Sequence, residues 1–180
     1  MAARRVASVQ RAVSKLRAGM RRGSATAFAV VAATLFCVAA ARGAGEQTRE
    51  SYVATVDPIC QRDRAAGERI LSGTKDNVKD GKLAVAGGQL IRASERFGMT
   101  IREIVAVSRP PADDAKLRKW FGFLRIVKER IRMTGVFYKH GDRLAATHES
   151  IRAEKSGNAA NNVSFVFRFR YCRLGRSRFS

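Results

Sequence analysis

Apolar and small side chains recur along residues 82–108 at alternating spacings of four and three. The stripe consists of Leu83, Gly87, Leu90, Ser94, Phe97, Ile101 and Ile104. A stripe of this period lies on one side of an α-helix and is typical of helices that pack in bundles. The small residues at positions 84–88 also indicate that a neighbouring helix approaches closely at this point.

A first helix is predicted before this one, over residues 50–72. Its stripe consists of Val56, Ile59, Asp63, Ala66 and Ile70, with Asp63 as the only polar member. Pro58 either begins this helix at its first position or kinks a helix that begins earlier, because proline has no backbone N–H to donate. Residues 72–82 are rich in turn-forming side chains and predict a connection.

Two further helices are predicted over residues 113–139 and 143–162. The sequence Arg109-Pro110-Pro111-Ala112 ends the preceding helix, and Gly141 with Asp142 stops one helix and caps the next. The inner face of the third helix consists of Leu117, Trp120, Leu124, Val127, Ile131 and Tyr138, widened by Phe121, Phe123 and Phe137. Four helices with short connections predict an all-α, up-down bundle over residues 50–174.

The N-terminal residues have the composition of an export segment. Residues 1–24 carry seven basic side chains and no acid, and residues 25–41 carry no charge and end in small residues. Such a pattern predicts either a signal peptide cleaved near Ala41 or a retained membrane anchor, with the remainder of the chain outside the cytoplasm. A start at Met20 would also give an ordinary signal peptide. Residues 42–49 are expected to be a linker.

The chain is strongly basic, with 35 basic and 15 acidic residues and a net charge of +20. From residue 43 onward the counts are 27 and 15, and residues 175–180 form a basic tail. A basic surface attracts polyanions, which inside a cell are nucleic acids and outside it are anionic lipids and wall polymers. A solvated face without a ligand is the alternative. The candidate contact residues are Lys116, Arg118, Lys119, Arg125, Lys128, Arg132, Arg168 and Arg170.

Two cysteines, Cys60 and Cys172, lie in the part of the chain that is expected to be exported. Cysteines outside the cytoplasm usually pair, so a disulfide is predicted, with a metal site and a catalytic thiol as the alternatives. Closing a loop of this length stabilises the fold by about 4–5 kcal/mol in the chain-entropy model.

None of the motifs that carry catalysis has the required spacing. The segment GERILSGTK at 67–75 does not match a phosphate loop, and no serine lies in a GxSxG setting. His140 and His148 are read as surface residues, and Asp113 with Asp114 as the acidic start of a helix. We therefore expect no enzymatic activity, no cofactor and no metal site.

The segment SFVFRFRYC, residues 164–172, alternates aromatic and mostly polar residues, as a strand would. A lone strand in a helical protein would have no pairing partner, so we expect an extended or irregularly helical end that covers the bundle. Its aromatic residues are expected to face partly inward, and Arg168 and Arg170 to stay in water. The aromatic residues are Phe165, Phe167, Phe169 and Tyr171.

Several short motifs together resemble a family of small exported helical proteins of actinobacteria. The motifs are Tyr52-Val53, Ile59-Cys60, Arg109-Pro110-Pro111-Ala112, Gly141-Asp142 and Phe169-Arg170-Tyr171-Cys172, within residues 51–174. The resemblance implies a helical bundle outside the membrane, with the two cysteines close together and no assigned activity. Pro58 and Val166 depart from the family pattern.

These observations predict an exported, non-enzymatic protein of the cell envelope. Its partner would be an anionic membrane, a wall polymer or an unknown protein. A basic nucleic-acid-binding protein is the alternative, although an exported chain is not expected to meet nucleic acid.

Overall fold

The computed structural model describes residues 47–175, which form helices and contain no strand. Four long helices confirm the all-α prediction for this part of the chain. The predicted signal or anchor segment and residues 176–180 of the basic tail lie outside the described residues. The helices are α1 (Arg49–Leu71), α2 (Thr74–Lys79), α3 (Leu83–Ala106), α4 (Asp114–Lys139) and α5 (Arg143–Val166), with a 3₁₀ turn at Pro111–Asp113.

Helix α1 begins at a capping box and runs through Pro58. The Thr48 side chain accepts a hydrogen bond from the Ser51 backbone N–H, and the Ser51 side chain accepts one from the Thr48 backbone N–H. Of the two readings for Pro58, the structure therefore shows a helix that begins earlier. The buried side of α1 consists of Tyr52, Val56, Cys60 and Asp63, whereas Ile59, Ala66 and Ile70 of the predicted stripe are only half-buried.

The connection predicted over residues 72–82 contains the short helix α2. Gln89 on α3 holds this region, because its amide Nε2 donates to the carbonyl oxygens of Ile70 and Ser72 at 3.2 and 2.8 Å. Asn77 on α2 donates to Gln89 Oε1 at 3.0 Å. The predicted connection therefore contains the short helix α2, which hydrogen bonds from side chains hold against α3.

Helices α3 and α4 pack closely at two glycines. A methyl group added to Gly135 would lie 2.7 Å from the Gly87 carbonyl oxygen and 3.1 Å from the Ile91 backbone nitrogen. The backbones can approach this closely only because neither glycine has a Cβ. The close approach predicted near residues 84–88 is therefore present, and six members of the predicted α3 stripe are buried, with Leu83 half-buried.

Helix α5 packs against α4 through small side chains, and it extends four residues beyond the predicted end. Its buried positions are Ala146, Glu149, Ala153, Gly157, Ala160 and Ser164. Arg130 on α4 and Arg152 on α5 each donate to the Glu149 carboxylate at 2.8 Å. These hydrogen bonds and the nearby positive charges lower the pKa of Glu149 against the opposing effect of burial.

The chain reverses after α5 and lays two aromatic rings on the bundle. Arg168 has a φ of 58°, and beyond it Phe169 stacks on Trp120 with ring centroids 5.1 Å apart. Phe167 and Phe169 are buried, as predicted, but Phe165 is 72% exposed. Its predicted inward position is wrong because α5 continues through Val166, so residues 164–166 follow helical rather than alternating geometry. Residues 167–174 are called the C-terminal cap below.

Candidate functional site

The C-terminal cap is fixed to α1 by the predicted disulfide. The sulfurs of Cys60 and Cys172 are 2.06 Å apart, and both cysteines are buried. Each sulfur is bonded to the other, so neither residue is a free thiol or a thiolate ligand. The bond joins two residues that are 112 positions apart in the sequence.

Asp57 gives the C-terminal cap a second attachment, which the sequence analysis missed. Its carboxylate accepts backbone hydrogen bonds from Arg170 at 2.9 and 3.1 Å and from Tyr171 at 3.0 Å. Asp57 lies three residues before Cys60 and therefore on the same side of α1. The spacing between Asp57 and Cys60 was the only feature of the sequence that could have indicated this contact. Its partners could not be predicted, because the N–H groups that donate to Asp57 are more than a hundred residues away.

Asp113 is also part of a long-range pair. Arg49 donates from Nε and Nη2 to the two Asp113 carboxylate oxygens at 2.7 and 2.5 Å, and its guanidinium lies 5.1 Å from the centroid of the Phe167 ring. The hydrogen bonds from Arg49 hold the pKa of the buried Asp113 carboxyl below its ordinary value. Asp113 precedes α4 as predicted, but its side chain makes no capping hydrogen bond.

The predicted basic residues do not form one surface. Arg118, Arg125 and Arg132 repeat every seven residues and so lie along one side of α4. The Lys128 side chain lies against α3, because its Cε would be 3.5 Å from a methyl group added to Gly98. Lys116 and Lys119 instead line a groove between α4 and α5. Arg168 and Arg170 lie on the C-terminal cap.

Half of this predicted set is paired with acids. Arg118 pairs with Asp114, and Arg132 pairs with Glu129 at 2.7 Å. Lys128 is 3.8 Å from Glu129, and Lys116 is 3.7 Å from Asp113. The other four are exposed and form no ion pair with an acid of residues 47–175: Lys119, Arg125, Arg168 and Arg170.

The groove between α4 and α5 was not predicted. It has a volume of about 430 Å³ and is open to solvent. Besides the two lysines it is lined by Phe123 of α4 and by Val163 and Val166 of α5. Val166 is 51% exposed, and the 72% exposed Phe165 directly precedes it. Continuation of α5 past its predicted end brings these apolar side chains to the surface.

The described residues contain no group of three or more His, Cys, Asp or Glu side chains placed to hold a metal ion. His140 and His148 are exposed, the first just after α4 and the second on α5. Tyr52 is fully buried, and burial raises the pKa of its hydroxyl above the ordinary value. No helix among residues 47–175 has the length and apolar character needed to cross a bilayer.

Comparison of the chain with known protein families, with curated proteins and with solved structures gave no match. The resemblance to exported actinobacterial proteins therefore stays a prediction.

Proposed function

We propose that this chain is an exported, non-enzymatic protein of the cell envelope that binds an anionic envelope component through exposed basic residues. One observation carries the binding part of the proposal. Lys119, Arg125, Arg168 and Arg170 are exposed cations with no acidic partner in the described part of the chain. Residues 47–175 hold 25 basic and 14 acidic side chains, so the excess is not confined to the N-terminal segment.

Several acids are already committed to structural roles. Asp113 and Glu149 are buried against arginines, and Asp57 accepts backbone hydrogen bonds. These carboxylates neutralise internal cations or fix the C-terminal cap. Unpaired surface cations then leave a positive potential that raises the local concentration of polyanions, and salt should weaken the binding because it screens exposed charges.

The proposed location outside the cytoplasm rests on the composition of residues 1–41 and on the resemblance to exported actinobacterial proteins. The disulfide is compatible with it, because disulfides persist mainly in oxidising compartments. The chain would be either secreted after cleavage near Ala41 or held by residues 25–41 as an anchor.

Nucleic-acid binding is the second candidate, favoured by a sequence pI of about 11.3. Export separates the two proposals. Residues 1–50 fused to a reporter that is active only after export should give activity, whereas an inactive reporter with normal expression would contradict the envelope proposal and favour the nucleic-acid one.

Binding is tested with the full chain and a soluble anionic polymer, polyphosphate. The triple variant Arg125→Gln, Arg168→Gln and Arg170→Gln should bind more weakly and with a shallower dependence on salt. Its matched control, Arg69→Gln, Lys75→Gln and Lys79→Gln, loses the same charge from another part of the bundle. If both variants bind polyphosphate equally weakly, binding depends on net charge and not on these three arginines. If the variant at positions 125, 168 and 170 binds as strongly as wild type, these arginines do not contact the polymer.

A further inference from the structure

The end of α5 combines exposed apolar side chains with a groove that carries positive charge. Phe165 is 72% exposed and Val166 is 51% exposed, although large apolar residues are usually buried. Val166 lines the groove together with Val163 of the same helix and Phe123 of α4. Surface cations alone do not account for a phenylalanine and a valine side by side in water.

The charged residues at this groove are lysines. Lys116 and Lys119 line it, and the Lys119 Nζ lies 6.0 Å from the centroid of the Phe123 ring. No acidic side chain lines the groove. Among residues 47–175, Lys116 is near one acid, Asp113, at 3.7 Å. Because the buried Asp113 carboxylate is already paired with Arg49 through hydrogen bonds from Nε and Nη2, the charge of Lys116 is available to a ligand.

We propose that this groove and the last turn of α5 dock on the surface of an anionic lipid bilayer. Phe165 and Val166 would enter the boundary between headgroups and acyl chains, while Lys116 and Lys119 contact lipid phosphates. Apolar insertion combined with attraction to anionic lipid is how peripheral helices bind membranes. The inference rests on the proposed function and specifies its ligand, because a soluble polymer would use the lysines but not the exposed phenylalanine.

The test places a fluorescent side chain at the proposed contact in the full chain. Phe165→Trp should be quenched more strongly by vesicles that contain brominated phosphatidylglycerol than by vesicles of brominated phosphatidylcholine. The matched control is Ile151→Trp, at an exposed position fourteen residues earlier on α5, about 21 Å away. Trp120, the only native tryptophan, is buried and gives the same background in both variants.

The role of the lysines is tested in the Phe165→Trp background. Lys116→Gln with Lys119→Gln should require roughly tenfold to thirtyfold more anionic lipid for equal quenching, the loss expected for two cations at an anionic surface. Lys75→Gln with Lys79→Gln removes the same charge from α2 and should change the lipid requirement little. Residues 1–46 are identical in all variants, so their own membrane contact cannot produce the difference.

The outcomes separate this inference from the proposed function. Equal quenching at positions 165 and 151, or no quenching at 165, would refute the lipid contact. If the chain still binds polyphosphate in that case, the proposed binding through exposed basic residues stands, with a soluble polymer or an acidic protein as partner. If it binds neither polyphosphate nor anionic vesicles, both proposals fail.

Discussion

The contact between Gly87 and Gly135 gives the sharpest test of how the bundle packs. We expect Gly135→Ala to destabilise the protein and Gly122→Ala, on the same helix, to stabilise it. A methyl group at Gly135 would lie 2.7 Å from the Gly87 carbonyl oxygen, whereas one at Gly122 would have no neighbouring heavy atom within 4 Å. Both glycines are in the interior of α4, so the gain in helix propensity is the same for both.

The magnitude follows from the geometry. Ordinary contact begins at 3.4 Å, so the helices must separate by about 0.7 Å to admit the methyl group. Overpacking of a core costs about 1–3 kcal/mol, and replacing a helical glycine with alanine gains about 0.5–1 kcal/mol. Gly135→Ala should therefore lower the free energy of unfolding by up to about 2.5 kcal/mol. Gly122→Ala should raise it by about 0.5–1 kcal/mol.

Urea denaturation followed by far-UV circular dichroism measures both variants under oxidising conditions. Because the propensity gain is the same in both variants, they should differ by the overpacking cost of about 1–3 kcal/mol, which exceeds the error of comparing midpoints at a constant slope. Gly87→Ala should be at least as destabilising as Gly135→Ala, because its methyl group would lie still closer to the Gly135 carbonyl oxygen and 2.9 Å from the Lys139 backbone nitrogen. If Gly135→Ala is as stable as Gly122→Ala, the close approach of α3 and α4 is wrong.

Three further predictions test the cap, the core and the buried acids. Cys172→Ser should lose up to about 4–5 kcal/mol in the free energy of unfolding, as should the reduced wild type; melting like the oxidised wild type would contradict pinning by the disulfide. Tyr52→Phe should be neutral or stabilising by up to about 1 kcal/mol in thermal denaturation, because its buried hydroxyl has no hydrogen-bond partner among the described residues; a large loss would reveal a partner. Stability should fall as the pH drops below about 4–5, because the pKa values of Asp113 and Glu149 are lower in the folded state than in the unfolded chain, which therefore binds protons first. Urea titrations across this pH range should show that the free energy of unfolding declines less steeply with falling pH for Asp113→Asn than for wild type. The same pH dependence in both proteins would contradict the lowered pKa of Asp113.

Long-range partners account for the parts of the candidate site that sequence reasoning missed. Asp57, Arg49 and Asp113 each look like ordinary surface residues in their local sequence. Their partners lie 64 or more residues away. No local pattern encodes such a pairing, because it depends on how the helices are arranged in space.

The basic residues illustrate the same limit. Composition identified an excess of positive charge, but it did not show which cations are neutralised. Lys128 and Arg132 are near Glu129, whereas Lys119 and Arg125 are exposed without an acid. Charge counts are properties of the sequence, while the potential at a surface depends on the distances between charges.

The sequence by itself determined the four long helices, since burial of one side of a helix requires apolar residues at helical spacing. It also predicted that Cys60 and Cys172 form a disulfide. Only the tertiary structure decided the end of α5, where alternating aromatic residues suggested inward positions for Phe165 and Phe167 alike. Helical geometry continues through Val166, so Phe165 points to solvent, and the reversal at Arg168 turns Phe169 onto Trp120. Local periodicity fixes which residues can share a face, but the packing of the other helices decides where that face ends.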